Sequence, residues 1–413
     1  MTAFPTDDAK DNLSRPPVQR QASRRRMWGG RVGAILLGLV MAVLVLELAI
    51  RLLAPILPVN IQSILRDVRV TPFTDQKIMP PHMLRADNYF GFVNIPGAVN
   101  ELQVANSGVS FHITTKNWLD PESHVGFRVP SPDWEPRWPV DAVVVGDSFS
   151  VCFTEYPDCW VERLSTDYGL SIVNLAITAT GTTSHLRVLN TFGLPYEPRM
   201  VIWQWYGNDY DDDYWLAVIS GEIEGDVLPG RPEPASPLAG WLRDNLASYA
   251  ILDALSIRRF SEAIDPYYFE EGTLKIAFGN PYMRLVTDMS AEHSRFGWER
   301  GQESLRAARE LLKEKGIELV IVLIPTKEEA YGKWTVSELG ADGLAGYQEG
   351  RLMLLDFCKQ ENLRCFDVTS ALVAHAEAGE QLYWPTDSHL SPQGNKVLAA
   401  ELVDFLVREQ LIK

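Results

Sequence analysis

Ala142-Val-Val-Val-Gly146-Asp147-Ser148-Phe-Ser-Val151 is the stretch on which the reading of the fold turns. An apolar, β-branched run of this kind reads as a parallel strand buried on both faces, and it breaks off at a Gly-Asp-Ser turn before a helix-compatible segment. In an open α/β sheet ligands bind at the carboxyl ends of the strands, and a serine that opens the next helix has its oxygen near positive backbone N–H groups. Ser148 is therefore the candidate nucleophile. Taken alone, such a turn is more often only a helix cap. Two later stretches shift that balance: Tyr206-Gly207-Asn208-Asp209 after another apolar run, and Asp387-Ser388-His389-Leu390-Ser391-Pro392-Gln393-Gly394-Asn395 before the last helix.

Around these stretches the chain alternates. Apolar strands are legible at 142–147, 171–177, 200–206, 318–324 and 365–369, with amphipathic helices near 159–168, 182–193, 302–315, 345–361 and 391–411. Alternation of this kind means an α/β fold, a parallel sheet covered by helices on both faces. Residues 210–299 interrupt the rhythm for longer than an ordinary loop does and read as a helical insertion near the site entrance, with 245–262 its clearest helix. Residues 56–138 carry Pro, Gly and aromatic punctuation with short extended runs such as 109–115, and read as a lead-in of short strands. The resulting division is a tail at 1–26, an anchor at 27–55, the lead-in at 56–138 and the main domain at 139–413.

The amino end has a different character. Residues 1–31 hold seven basic against three acidic residues, a net of +4, which leaves the rest of the chain at −20 of the total −16. Residues 1–26 hold almost no large apolar side chains and read as a disordered tail. From Val32 to Leu46 every residue is apolar or Gly, and residues 32–54 would make about 34 Å of helix, enough for a ~30 Å hydrocarbon layer. That is the pattern of one membrane anchor, with the basic tail in the cytoplasm and the body outside it. Glu47 and Arg51, one helical turn apart, would pair and snorkel at the outer interface. A cleaved secretory signal competes, but no Ala-x-Ala site stands out. Gly30, Ala34, Gly38 and Ala42 recur at the spacing of a helix dimer face, which admits a homodimer through this helix. The acidic body disfavours nucleic acid as a partner.

Ester cleavage through a serine needs a nucleophile, a base, a group that orients the base, and donors for the oxyanion. Ser148 supplies the first, His389 is the natural base, and Asp387 would hold its tautomer. The ordered trio of Ser148, Asn208 and His389 resembles the SGNH (GDSL) hydrolase superfamily over roughly the last two-thirds of the chain. The resemblance implies a flavodoxin-like strand order and an oxyanion hole made by the Ser148 N–H, the Asn208 amide and an N–H from the turn after the second strand. There the family's glycine aligns with Ala179, with Gly181 two residues on; a non-glycine residue at positive φ would be strained. The commonest family pattern puts the acid three residues before the histidine, where this chain has Thr386. Asp-x-His instead resembles the alginate O-acetyltransferase family. Residues 111–128 look similar to the lead-in of membrane-anchored bacterial envelope members, which implies the bacterial inner membrane as location. Lys327, after the fourth strand, and Trp384 and Trp334 are candidates to line a substrate pocket.

The remaining features bound the chemistry. Cys152/Cys159 and Cys358/Cys365 form two local pairs, for which disulfides in an extracytoplasmic body and buried thiols are both open readings. Their spacing is not that of a zinc site. Asp209-Tyr-Asp211-Asp212-Asp213-Tyr214 has the alternating acids of a calcium loop but lacks its glycine and its final acid, so a solvated loop is the better reading. No metal or other cofactor is expected. The functions that follow are a serine esterase acting on O-acyl groups of an envelope or exported glycan, a glycan O-acyltransferase using the same residues, or a noncatalytic glycan-binding or scaffold protein.

Overall fold

The computed structural model describes the chain from residue 20 onward, apart from residues 58, 67, 75, 80–82, 98, 104–108, 121, 226–235 and 261–266. Most of the expected tail, residues 1–19, lies outside the described residues. Helix α1 (Arg20–Leu53) begins ahead of the expected anchor boundary at residue 27, because the Arg, Gln and Ala residues there favour helix and no Pro interrupts them. Its segment Arg31–Ile56 is long and apolar enough to cross a membrane. The side chains of residues 32–46 are exposed, including the row Ala34, Gly38 and Ala42.

The last turns of α1 do not snorkel into water. Arg51 Nε donates to Glu47 Oε1 at 2.8 Å, as expected for the pair, but Glu47 is buried. Its two oxygens accept the backbone N–H groups of Ala247 and Ser248 at 2.8 and 2.9 Å, and the Ser248 hydroxyl at 2.9 Å. Arg51 spends its other donors on the carbonyls of Arg69, Val70 and Asn245. A carboxylate at a helix start satisfies N–H groups that no carbonyl within the helix can reach. Glu47 thus caps a helix that starts 200 residues away in sequence. Ala54, Leu65, Val68, Met79, Ala247 and Ala250 bury an apolar cluster beside this cap.

The lead-in consists of α2 (Val59–Leu65), the hairpin β1 (Leu84–Asp87) and β2 (Gly91–Asn94), and an antiparallel sheet of β3 (Val99–Gln103), β4 (Ser110–Lys116) and β5 (Phe127–Val129) in that order. The central sheet follows, with β6 (Ala142–Val145), the one-turn helix α3 (Ser148–Val151), α4 (Trp160–Thr166), β7 (Ile172–Asn174), α5 (Thr182–Val188) and β8 (Met200–Trp205). After β8 come α6 (Asp209–Ile219), α7 (Pro237–Asn245), α8 (Ala247–Phe260), a hairpin of β9 (Tyr267–Glu271) and β10 (Leu274–Phe278), α9 (Pro281–Val286) and α10 (Glu292–Lys315). The chain then completes the sheet with β11 (Glu318–Leu323), α11 (Lys327–Ala330), α12 (Gly332–Gln360), β12 (Arg364–Asp367), α13 (Thr369–Glu377) and α14 (Pro392–Arg408).

The five central strands are all parallel and stand in the order β12-β11-β8-β6-β7. Numbered along the chain that is 5-4-3-1-2, the flavodoxin-like order, whose switch point lies between β6 and β8. Every residue of β6, β7 and β8 is buried. Ala142, Val144, Ile202, Val320 and Val322 face one core with α4, α13 and α14. Val143, Val145, Trp203, Trp205, Ile321 and Leu323 face the other with α10 and α12. The two-sided cover explains why these strands read as continuous apolar runs.

Three expectations need correction. The segment 210–299 is not wholly helical, since β9 and β10 form a hairpin inside it. Helix α10 starts at Glu292 rather than near 302 because its first half packs through small residues, Ser294, Gly297 and Gly301, which leave no apolar period. A Cβ on Gly297 would lie 1.8 Å from the Tyr210 carbonyl oxygen, so α6 and α10 approach as closely as backbones allow. Helix α12 starts at Gly332, with Gly340 at φ 74° breaking the helical path before the expected 345–361 segment.

The Glu47 cap makes a measurable claim. Glu47→Ala leaves two N–H groups of α8 and the Arg51 guanidinium without their acceptor, at an expected cost of about 2 kcal/mol. Limited proteolysis within 247–260 should accelerate in the variant while the central sheet keeps its melting behaviour.

Candidate active site

Ser148 sits where the strand order brings two loops together, at the carboxyl end of β6 beside that of β8. Asp147 caps α3 by accepting the Phe149 N–H at 2.8 Å, so the turn is a helix cap as well as a serine platform. A Cβ on Gly146 would meet Gln204 Oε1 at 2.4 Å and Ser150 Oγ at 2.7 Å, which leaves only glycine room there. Gln204, buried in β8, accepts the Asp147 N–H at 3.0 Å and the Ser150 hydroxyl at 2.9 Å. Sequence reading missed this residue. The signal was present as one amide in the otherwise apolar run Met200–Trp205.

Asp387, His389 and Ser148 form one hydrogen-bonded line. Ser148 Oγ lies 2.7 Å from His389 Nε2, and His389 Nδ1 lies 2.6 Å from Asp387 Oδ1. The same Asp387 oxygen accepts the His389 backbone N–H at 2.8 Å, which fixes the Asp-x-His turn. Burial pushes the Asp387 carboxyl up, but the His389 charge, its two hydrogen bonds and Lys327 outweigh burial and hold it below the usual range. Residue 386, where the commonest pattern has its acid, is a threonine. The acid two positions before His389 does the contacting here.

Around this line the other candidates fall as follows. Ala179 has φ 58°, the left-handed conformation expected at the aligned glycine position, and its N–H makes no backbone hydrogen bond among the described residues. Gly181 caps α5, and a Cβ on it would lie 2.3 Å from the Asp209 carbonyl oxygen, so its glycine serves the packing of α5 on α6. Asn208 donates through its amide nitrogen to Asp212 at 2.8 Å. Lys327 is buried, not solvated, and its Nζ reaches the carbonyls of Pro385 and Asp387 at 3.4 and 3.3 Å. Trp384 donates to the Phe153 carbonyl at 2.9 Å beside the triad. Trp334 is corrected: it is buried against Phe269 and Tyr331 with its N–H on Glu271, part of the core and not of a sugar platform. The hairpin borders the site, since Ala277 donates its N–H to the Pro385 carbonyl at 2.7 Å.

The cysteines pair locally, Cys152 with Cys159 and Cys358 with Cys365. The acidic run is not a solvated loop. Asp209, Asp211, Asp212 and Asp213 are all buried in the first turns of α6. Asp213 accepts the Thr183 N–H at 2.7 Å and Asp212 the Asn208 amide, so the acids terminate N–H groups of neighbouring elements. Among the described residues no group of three or more His, Cys, Asp or Glu side chains could hold a metal ion. Burial pushes the Asp209 and Asp212 carboxyls up, and it brings Asp213 up to about 7.

Comparison with known proteins bears on the carboxyl-terminal part. A family model described as the SGNH hydrolase-like domain of acetyltransferase AlgX matches residues 285–413. Comparison with curated proteins gave no match. Solved structures similar to this chain include an acetyl xylan esterase, at 10% identity and a TM-score of 0.36, covering 64% of this chain and 98% of that one. Another is a GDSL-like lipase from Bacteroides thetaiotaomicron, at 10% identity and a TM-score of 0.33, covering 65% and 88%. A third is the psychrotrophic esterase EstA from Pseudoalteromonas, at 11% identity and a TM-score of 0.32, covering 65% and 98%.

Asp213 gives the stability of this region a pH dependence. Burial brings its carboxyl up to about 7 in the fold, well above its value in the unfolded chain. Between roughly pH 4 and 7 the folded state therefore binds the extra proton, and stability falls as pH rises. Asp213→Asn keeps an acceptor for Thr183 and should make the fall in melting temperature across that window shallower, the rest being due to Asp209 and Asp212; an unchanged slope would show that Asp213 is ionised in the fold.

Residues 285–413, which supply Lys327, Asp387 and His389, match the SGNH hydrolase-like domain of the acetyltransferase AlgX, and in that part the chain is SGNH hydrolase-like.

Proposed function

We propose that this protein cleaves acyl esters through an acyl-Ser148 intermediate and that its substrate is an O-acylated glycan of the cell envelope or an exported one. The observation that carries the reading is the line Ser148 Oγ, His389, Asp387 with hydrogen bonds of 2.7 and 2.6 Å. In the first half-reaction Ser148 Oγ attacks the ester carbonyl carbon while its proton passes to His389 Nε2. The N–H groups of Ser148 and Ala179 and the Asn208 amide would take the oxyanion, each worth roughly 3 kcal/mol in the transition state. The tetrahedral intermediate then expels the alkoxide, which takes the proton from His389. In the second half, a hydroxyl gives its proton to His389 and attacks the acyl carbon, and collapse breaks the bond to Ser148 Oγ, which takes the proton back from His389. Water as that hydroxyl makes an esterase, and a sugar hydroxyl makes an O-acyltransferase. The family match to an acetyltransferase favours acetyl as the group moved.

A noncatalytic glycan-binding role is the weaker reading, because a scaffold has no use for a serine hydrogen-bonded to a histidine that is in turn held by an acid. As to location, the reading is a single-pass signal anchor with the body outside the cytoplasm, supported by the apolar helix, the basic residues before it and the two disulfides. The Glu47 cap supports a retained helix over a cleaved one, since cleavage would remove a group that the body uses. Reporter fusions at each end test the topology; a cytoplasmic carboxyl terminus would overturn it.

The catalytic test uses p-nitrophenyl acetate with and without a sugar oligomer as acceptor. Ser148→Ala should fold and lose turnover, and Asp387→Asn should lose roughly 10⁴-fold in kcat because the wrong imidazole tautomer is favoured. Asp387→Asn combined with His389→Ala should be no worse than His389→Ala alone, since residues acting as one unit are not additive. Acetylated oligomer as the main product assigns transfer, and free acetate assigns hydrolysis. Wild-type turnover in folded Ser148→Ala protein would end the covalent reading.

A further inference from the structure

Two hydrogen bonds, one through each ring nitrogen, hold His389 along an axis but leave the imidazole free to roll about it. What stops the roll is a phenyl ring. Phe153 lies nearly parallel to the imidazole, with ring centroids 3.9 Å apart and an interplanar angle of 21°. Phe149 is farther away and more tilted, at 4.8 Å and 34°. Behind Phe153 stands Phe111 of β4 at 5.4 Å. The Phe153 carbonyl accepts the Trp384 indole N–H at 2.9 Å, and the Trp384 backbone N–H donates to the His389 carbonyl at 3.0 Å, so ring and backbone tie the two segments together.

The segment carrying Phe153 does not hold this position by local preference. Cys152, just before it, has φ 61°, a conformation that non-glycine residues rarely adopt unless their surroundings impose it. The surroundings are the disulfide to Cys159 and Arg128. This side chain comes from β5 of the lead-in and is buried. Its guanidinium donates to the carbonyls of Val151 and Cys152 at 2.5 Å, of Thr154 at 2.7 Å and of His112 at 3.0 Å. It also lies over the Tyr156 ring at 5.3 Å. Burial lowers the Arg128 pKa to about 10, which leaves the group charged at neutral pH. A buried cation is costly unless its donors are taken, and here the two terminal nitrogens give theirs to four carbonyls, three of them on the 151–154 segment that carries Phe153. Lysine could not replace it, because one ammonium cannot span a fan of four acceptors.

We propose that Phe153 is a positioning residue for His389, clamping the imidazole in the plane that points Nε2 at Ser148, and that Arg128 acts through Phe153 by fixing the 151–154 backbone. The face of the ring also favours the imidazolium that forms when His389 takes the serine proton. The lead-in sheet is thereby part of the catalytic apparatus, although it lies outside the family match at 285–413.

The proposal rests on the Ser148, His389 and Asp387 reading, and the test separates the two. The full chain in detergent is assayed on p-nitrophenyl acetate, with Ser148→Ala as control. Phe153→Leu fills similar volume without an aromatic face and should lower kcat about ten- to a hundredfold, as small misplacements of a catalytic group do, with KM within about twofold. Phe153→Tyr should restore most of that loss. Arg128→Lys should lower kcat in the same way, and Arg128→Lys with Phe153→Leu should be no worse than Phe153→Leu alone. Should Arg128→Lys fail to fold, the Leu and Tyr pair at 153 still decides. Unchanged kcat in Phe153→Leu, or equal losses in Leu and Tyr, beside an inactive Ser148→Ala, would overturn the proposal and leave the triad standing. Full activity in Ser148→Ala would overturn the triad reading itself.

Discussion

The site depends on one buried amide. Gln204 Oε1 receives the Asp147 N–H and the Ser150 hydroxyl, and Gly146 has no Cβ because that oxygen occupies the space. A buried oxygen in an apolar strand is tolerated when its hydrogen bonds are made, and here one oxygen takes both donors of the turn. The chain must leave β6 and turn at once, with Ser148 at the head of the turn. The parallel pairing of β6 with β8, Val144 opposite Ile202 and Val145 opposite Trp203, sets the height of that amide. Sheet register and the position of Ser148 are therefore a single constraint.

Much of this was legible in the amino-acid sequence. Strands buried on both faces announce themselves as unbroken apolar runs, and Ser148, Asn208 and His389 follow such runs or precede the last helix at the points where a doubly wound sheet opens. The left-handed Ala179 followed from its alignment with a glycine. Other features had no local signature. Arg128 and Phe153 look like an ordinary arginine and an ordinary phenylalanine until the fold sets Arg128 against residues 151–154 and Phe153 against His389, and no periodicity reports a contact between residues 153 and 389. The acids at 209–213 read as a solvated loop because four neighbouring carboxylates are seldom buried; burial becomes tolerable only where N–H groups or protons neutralise them. The hairpin at 267–278 did carry a sign, Gly272 at a left-handed turn. It was lost inside a long stretch without the strand and helix rhythm.

The parts outside the sheet are also bound to the site by backbone groups. Hairpin strand β10 donates the Ala277 N–H to Pro385, two residues from Asp387, and Lys327 reaches the carbonyls on either side of Thr386. The turn that presents His389 is thus gripped from the insertion, from α11 and from its own aspartate. Such a turn is preorganised, and preorganised groups need no rearrangement when charge develops.

The Glu47 cap alters what the apolar helix is mechanically. A hydrophobic segment followed by a slack linker is a leash, and the body it holds samples every height and tilt the linker permits. Here the helix runs into the body with no slack, since Glu47 closes the first turn of α8 and Arg51 grips carbonyls on both sides of it. That arrangement is a post, not a leash. Whatever holds that helix would therefore also set the height and the orientation of the body it runs into.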